Sequence, residues 1–316
     1  MALPLVIVNP KSAGGATRAA WPRIASDLRS HFGPFSIAFT EGPGQGIELA
    51  AEAARKGVKF IIACGGDGTI SEVANGILQS GTGAELGILP SGTGGDFRRT
   101  LEIPARTRDA AQILRHGQSR SIDVGRVTYV KPNDVEDSRY FLGVASFGMS
   151  AAVIEHVKEK GSAWLPANSP KWLSGRLSFG ASMLQTAMSS PATRVIVQLD
   201  DGYEQHLTVA NFCIANARYF GGGMKIAPDA KLTDGLFDVV TIGDLGTRKI
   251  LTNAPRIYVG SHLSLDQVHH ALAKKILARP AARDEEVIIE IDGELPGRLP
   301  ATFQLVPDAL KVRCPA

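Results

Sequence analysis

The sequence is poor in cysteine, in aromatic residues and in excess charge of either sign. Its three cysteines, Cys64, Cys213 and Cys314, are odd in number and far apart. That spacing forms no disulfide framework and no Cys/His zinc site, and it fits a reducing cytosol. Lys and Arg total 34 against 31 Asp and Glu, a net charge of +3. Neither half of the chain carries a basic excess, which excludes nucleic acid as the main partner. No apolar run approaches the roughly 18 residues of a membrane-spanning helix. The N-terminal MALPLVIVNPKSAGG lacks a basic leader and reads as a first strand, not a signal peptide. Two standard nucleotide signatures are also missing. There is no GxxxxGK[ST] loop, and no GxGxxG followed by an acidic ribose ligand.

The composition that remains is globular, with 44% hydrophobic and 21% charged residues. At about 100–200 residues per domain, the length suggests two domains or one large one. Residues 3–8 (LPLVIV), 58–64 (VKFIIAC) and 84–89 (AELGIL) are compact apolar strand candidates. Residues 47–55, 70–78 and 107–116 follow helical spacing between and after them. Strands that are nearly continuous in apolar residues and alternate with helices predict a parallel sheet covered on both faces.

The texture changes after about residue 125. Strand-like runs at 140–146, 193–199, 207–214, 237–242, 287–291 and 302–306 lack regular helices between them. They predict an antiparallel β domain, a sandwich. Residues 131–138 read as a polar loop, and helices are expected over 171–188 and 264–277. Gly221–Gly223 reads as a bend or bulge. Adjacent His269 and His270 point apart and read as a surface pair.

The strongest chemical signal is Gly65-Gly66-Asp67-Gly68-Thr69, between a buried strand and an apolar-striped helix. Glycines there let backbone N–H groups approach a phosphate, and a helix start favours negative charge. A carboxylate beside a polyphosphate is repulsive unless a cation or a transferred proton intervenes, so Asp67 points to Mg²⁺ or to proton chemistry. Two further glycine-rich turns, 9–15 (NPKSAGG) and 91–98 (SGTGGDFR), also follow strands. Ligands of parallel sheets bind beyond the carboxyl ends of the strands, where all three turns would meet.

Five motifs in order, GGDGT (65–69), GTGGDFRR (92–99), IDVG (122–125), LTDGLFD (232–238) and DGE (292–294), resemble the diacylglycerol kinase catalytic-domain family. This group includes soluble bacterial lipid kinases and is related to sphingosine and ceramide kinases. The resemblance runs from Asn9 to about Pro315. It implies an α/β N-terminal domain with a parallel sheet, NAD kinase/phosphofructokinase-like, plus an antiparallel β-sandwich C-terminal domain. The first would span 1–125, completed by a C-terminal segment 301–316. The second, 126–300, would take the acceptor, with a cleft bringing the two together. The implied reaction is ATP-dependent phosphorylation of a lipid alcohol, with Mg²⁺, by a cytoplasmic protein peripheral at the inner membrane face. A homodimer is left open.

The resemblance also implies residue roles. Gly65, Gly66, Asp67, Gly68 and Thr69 would hold the ATP phosphates, with Asn9, Thr40, Glu72 and Thr93 at nucleotide positions. Asp67 and Asp96 would organise the Mg²⁺–phosphate end, with Asp123 lending charge. Glu294, with Asp292 beside it, would be the base that activates the lipid hydroxyl. Asp234, with the carbonyls of Lys231 and Leu236, would match a structural metal site.

Three positions depart from the family pattern: Gly95 in place of Asn, Gly143 in place of Asn and Ser150 in place of Asp. Trp164, Leu165, Trp172, Leu173, Leu177, Phe179 and Leu184, among Lys158, Lys160, Lys171 and Arg176, could dock at a lipid interface or pack on the sandwich. A soluble-substrate kinase of the NAD kinase type, or a non-catalytic nucleotide- or lipid-binding homologue, stays open at this level.

Overall fold

The computed structural model describes residues 2–92, 94–160, 192–244 and 246–316, with the backbone alone for 156–160 and for 247, 248, 250 and 251. The chain divides into two compact units, Met1–Val124 with Val306–Ala316, and Gly125–Leu305.

The first unit is built on β1 (Leu5–Val8), β2 (Ser36–Phe39), β3 (Phe60–Gly65) and β4 (Glu85–Pro90). Strand β1 pairs in parallel with β2 and β3, and β3 with β4. Val6, Ile7, Val8, Ile61, Ile62, Ala63 and Cys64 are fully buried, as continuous apolar strands covered on both faces must be. The helices are α1 (Ala16–His31), α2 (Gln45–Arg55), α3 (Asp67–Ser80), α4 (Asp96–Thr100) and α5 (Thr107–His116).

The fifth strand comes from the far end of the chain. β14 (Glu294–Cys314) pairs in parallel with β4, Lys311 opposite Glu85 and Val312 opposite Leu86. Arg313 locks this join. Its guanidinium forks onto Glu85 with two bonds of 2.7 Å, donates to the Leu114 carbonyl at 2.9 Å, and stacks 4.8 Å from the Phe60 ring centre.

The second unit is antiparallel. It contains the end of β5 (Gln118–Val130), then β6 (Glu136–Phe141), β7 (Val144–Gly148) and α6 (Met149–Lys160). After these come β8 (Thr193–Leu199), β9 (Gln205–Ala215), β10 (Phe237–Gly243), α7 (Thr247–Val259), β11 (Val268–Ala273), β12 (Lys275–Pro280) and β13 (Ile288–Ile291). Hydrogen bonding runs β14–β12–β8–β9–β7–β13 and returns to β14, so the ladder closes into a ring. Inside lie Phe141, Phe147, Phe212, Phe237 and Phe303, with Phe147 stacked on Phe212 at 4.8 Å.

Several expectations are corrected here. Residues 264–277 are not a helix: they enter β11 and β12, and in β12 burial alternates, Ile276 and Ala278 inward between Lys275, Leu277 and Arg279. The helix of this region is α7, upstream, whose internal Pro255 masks its pattern. The run 140–146 is two strands broken at Leu142-Gly143, and the polar loop ends at Val135 because β6 starts at Glu136. Gly221, Gly222 and Gly223 all have positive φ, closing a turn bridged by Phe220 and Met224. His270 bonds Asp238 at 2.7 Å, and its neighbour His269 lies on the opposite side of the strand. The stretch 171–188, Trp164, Leu165 and the other apolar residues grouped with them lie outside the described residues.

Candidate active site

In the first unit the turns that leave β1, β3 and β4 interlock at the carboxyl ends of the strands. The Asn9 amide N–H bonds the Cys64 carbonyl at 3.0 Å and the Ser91 N–H bonds the Gly65 carbonyl at 3.0 Å. Asn9 Nδ2 donates to Thr69 Oγ1 at 3.2 Å, and Thr17 Oγ1 donates to the Ser91 carbonyl at 2.8 Å. A Cβ on Gly65 would collide with the Thr69 side chain, and one on Gly92 with the Gly66 backbone. These glycines are required by the fit of loop against loop. Gly68 is different: among the described residues a Cβ there would meet nothing within 4 Å. Glycine inside a first helical turn costs about 1 kcal/mol against alanine, and no contact among those residues demands it.

Asp67 acts on the neighbouring loop. Its Oδ2 accepts the Gly95 N–H at 2.7 Å and the Asp96 N–H at 3.1 Å, and its Oδ1 accepts the Phe97 N–H at 3.1 Å. The carboxylate thereby caps α4 and holds residues 95–97 in place. Gly95 has φ +72°, the left-handed region, where asparagine is the best tolerated alternative to glycine. An asparagine, which the resemblance leads one to expect here, could take the same backbone conformation. Asp96 bonds Arg99 at 2.5 Å.

Glu72, Asp123 and Thr40 have clear structural tasks. Glu72 accepts the Gly44 and Gly46 N–H groups at 2.8 and 2.9 Å, which pins the start of α2. Asp123, buried, accepts the Asp308 N–H at 2.9 Å and so holds the returning segment that leads to the end of β14. Thr40 is buried directly after β2, its N–H on the Val8 carbonyl at 2.9 Å. Thr93 lies outside the described residues.

In the second unit, Asp292-Gly293 forms the two-residue turn between β13 and β14, both residues at positive φ (49° and 88°), as a tight hairpin requires. Asp292 accepts the Leu142 and Gly143 N–H groups at 3.0 and 2.9 Å, across the break between β6 and β7. Gly143 suits that approach, since a Cβ would lie 2.9 Å from Asp292 Oδ1. Ser150 N–H donates to Asn211 Oδ1, and its Oγ, 2.8 Å from the same oxygen, is placed to donate to Ser146 Oγ instead. Glu294 is partly exposed and its Oε2 receives Arg139 Nη1 at 2.8 Å. Burial alone would lower the Arg139 pKa, and Glu294 with Asp292 outweigh it and raise it. Close by, Tyr129 is pushed up to about 12 by burial and then by Asp137. Arg139 left no mark in the sequence, being 155 residues from Glu294.

Asp234 Oδ1 accepts the Leu236 N–H at 3.2 Å, with Gly235 at φ 75° between them, and Lys231 lies three residues earlier. Burial raises the Asp238 pKa, His270 opposes, and Asp234 and Asp229 add to the rise. Among the described residues no group of three His, Cys, Asp or Glu side chains is spaced to hold a metal ion. A cation at this loop would depend on main-chain carbonyls.

Comparison with known proteins agrees across the chain. The family model "Diacylglycerol kinase catalytic domain" matches residues 4–127, and "YegS C-terminal NAD kinase beta sandwich-like domain" matches residues 143–314. A diacylglycerol kinase of Mycobacterium tuberculosis is 30% identical over 314 residues, covering 98% of this chain and 94% of that protein. One from Bacillus subtilis is 27% identical, covering 94% and 91%. A crystal structure of a Bacillus anthracis diacylglycerol kinase shares the fold, with a TM-score of 0.70 at 22% identity over 99% of this chain and 96% of that one. With both family models placed end to end and a relative at 30% identity along nearly its whole length, the chain belongs to the diacylglycerol kinase family.

Proposed function

We propose that this protein is an ATP-dependent lipid kinase that moves the γ-phosphoryl group of ATP to the hydroxyl of a lipid alcohol of the diacylglycerol type. The observation that carries the reading is Gly68, a glycine at a helix start that no contact among the described residues requires, beside loops locked together by Gly65, Gly66 and Gly92. Close approach of a phosphate supplies the missing reason for it.

In this reading Asn9, Thr40, Gly65, Gly66, Gly68, Thr69 and Thr93 surround the nucleotide. Glu72 and Asp123 serve by fixing the segments next to it. The donor set at the phosphate end fits Mg²⁺, because Asp67 and Asp96 offer hard carboxylate oxygens, and among the described residues Asp67 Oδ1 accepts one N–H. Those two residues would hold the ion, which would neutralise phosphate charge. Asp234, with the Lys231 and Leu236 carbonyls, would hold a structural cation.

Glu294 takes the proton. The acceptor oxygen attacks Pγ, the bond from Pγ to the bridging oxygen breaks, ADP leaves, and the hydroxyl proton passes to the Glu294 carboxylate. Arg139 holds Oε2, which leaves Oε1 to receive it. Asp292 fixes the turn on which Glu294 stands. Among the described residues no helix is long and apolar enough to cross a membrane, and the lipid is met by peripheral attachment at the inner face.

Transfer of label from γ-labelled ATP, with Mg²⁺, to a panel of lipid alcohols in mixed micelles tests the proposal. Label in diacylglycerol or a related lipid is expected. Label only in NAD, included as a soluble control, or ATP binding with no transfer to any acceptor, would overturn it.

A further inference from the structure

Glu290 is a buried carboxylate, 3% exposed, to which the reaction above gives no task. On β13 its neighbours Ile289 and Ile291 face the core, and strand alternation turns Glu290 to the other side, directly opposite Ser146 of β7. Its Oε1 accepts the Gly293 N–H at 2.6 Å, and its Oε2 accepts the Ser146 hydroxyl. Ser146 Oγ lies 2.7 Å from Ser150 Oγ, at the start of α6. Ser150 in turn is held by Asn211, its N–H at 3.0 Å and its Oγ at 2.8 Å from Asn211 Oδ1. An unbroken polar chain thus runs from α6 through β7 to the amide inside the Asp-Gly turn. Taking a carboxylate out of water is expensive, and an apolar side chain would fill the same space without that cost. What the apolar residue could not supply is an acceptor for the Gly293 amide, one residue before Glu294.

We propose that Glu290 is a positioning residue, whose carboxylate grips the Gly293 amide and ties the turn bearing Glu294 to β7 and the start of α6 through Ser146. The role in turnover rests on Glu294 being the proton acceptor. The grip on the turn does not.

The two replacements that separate acceptor from volume are Glu290→Gln and Glu290→Met. Glutamine keeps an oxygen for Gly293, and its amide can donate to Ser146 while the Ser146 hydroxyl turns to Ser150. Methionine keeps the bulk and removes the acceptors for the Gly293 amide and the Ser146 hydroxyl. Two readouts are followed on the full chain: hydrogen exchange at the Gly293 amide, and steady-state kinetics with diacylglycerol micelles. In Glu290→Met the amide is expected to exchange about tenfold faster. Its kcat is expected to fall about tenfold or more, with KM for ATP within about twofold of wild type, because displacement of a reacting group by about 1 Å costs up to about a hundredfold. Glu290→Gln is expected to restore both. Should the methionine variant not fold, Ser146→Ala removes the support of Oε2 and is expected to shift both readouts in the same direction.

Unchanged Gly293 exchange in Glu290→Met, or an equal loss of kcat in Glu290→Gln, would overturn the proposal. Glu294→Gln is measured alongside. If that variant keeps full activity, the role of Glu294 falls, and the exchange result still decides whether Glu290 holds the turn.

Discussion

Replacing Asp67 by asparagine removes one oxygen from a carboxylate that receives three backbone N–H groups. Oδ2 takes Gly95 and Asp96 and Oδ1 takes Phe97. An asparagine oxygen placed at the Oδ2 position keeps the first two bonds, and its NH₂ then faces the Phe97 N–H, donor against donor. One charge-assisted bond is lost and the others lose their charge, a cost of about 2 kcal/mol. If residues 95–97 must be ordered for transfer, that is about a thirtyfold loss in kcat/KM. Alanine removes all three bonds. Its cost is less than three times the first, because Asp67 is only half-buried and water reaches the freed amides. The assay is kinetics of Asp67→Asn and Asp67→Ala over a Mg²⁺ titration, together with amide exchange over residues 94–98. Activity should fall in the order wild type, Asn, Ala, amide exchange should rise in that order, and added Mg²⁺ should rescue only in part, because the loop bonds stay lost. Wild-type exchange at Gly95, Asp96 and Phe97 in the alanine variant would refute the argument. Full recovery at high Mg²⁺ would mean that Asp67 works mainly through the ion.

Three other outcomes are expected. Gly95→Asn should melt within about 1 kcal/mol of wild type once Arg98 moves aside, whereas Gly95→Val, placing a β-branched side chain at φ +72°, should lose about 2 kcal/mol or more by urea unfolding. Arg313→Met breaks a fork between two largely buried partners and should destabilise by about 3 kcal/mol in the same assay, with Glu85→Gln partly restoring the double variant. Burial pushes the Cys64 thiol up to about 12 and raises Cys213 and Cys314 as well. At pH 8 roughly one Cys64 in ten thousand is then a thiolate, so a thiol reagent should label none of the three until the protein unfolds.

The first unit was legible at β1, β3 and β4, each an apolar run followed by a glycine turn, whereas the short, mostly exposed edge strand β2 and the helix α1 gave no comparable signal. The helix 107–116 was read to the residue, since its apolar stripe is strong and its ends are polar. The second unit was harder. Strands β11 and β12 are separated only by Lys274, and their joined sequence mimics a helical stripe. The site divides in the same way. The glycines and Asp67 stand together in one pentapeptide, and Asp292 and Glu294 stand together in the DGE motif, whereas no motif marks Glu290. What lay hidden were partners distant in sequence: Arg139 on Glu294 and Ser146 on Glu290 from other strands, and the amides at the starts of α4 and α2 that engage Asp67 and Glu72. The first two are fixed by strand register and the others by how loops and helix starts pack, neither of which local sequence encodes.

The last strand also sets a timetable. When β4 leaves the ribosome its outer edge has no neighbour, because the segment that pairs with it at Lys311 and Val312 lies about 220 residues downstream. At translation rates of about 5–20 residues per second, that edge waits roughly 10–40 s. Through that interval the nascent first unit exposes unpaired main-chain groups and an unanswered Glu85, a template for association with other nascent chains. Yield in the cell should therefore respond to translation speed and to chaperones that shield strand edges, and a polypeptide ending before residue 306 should be insoluble even though it carries every glycine loop.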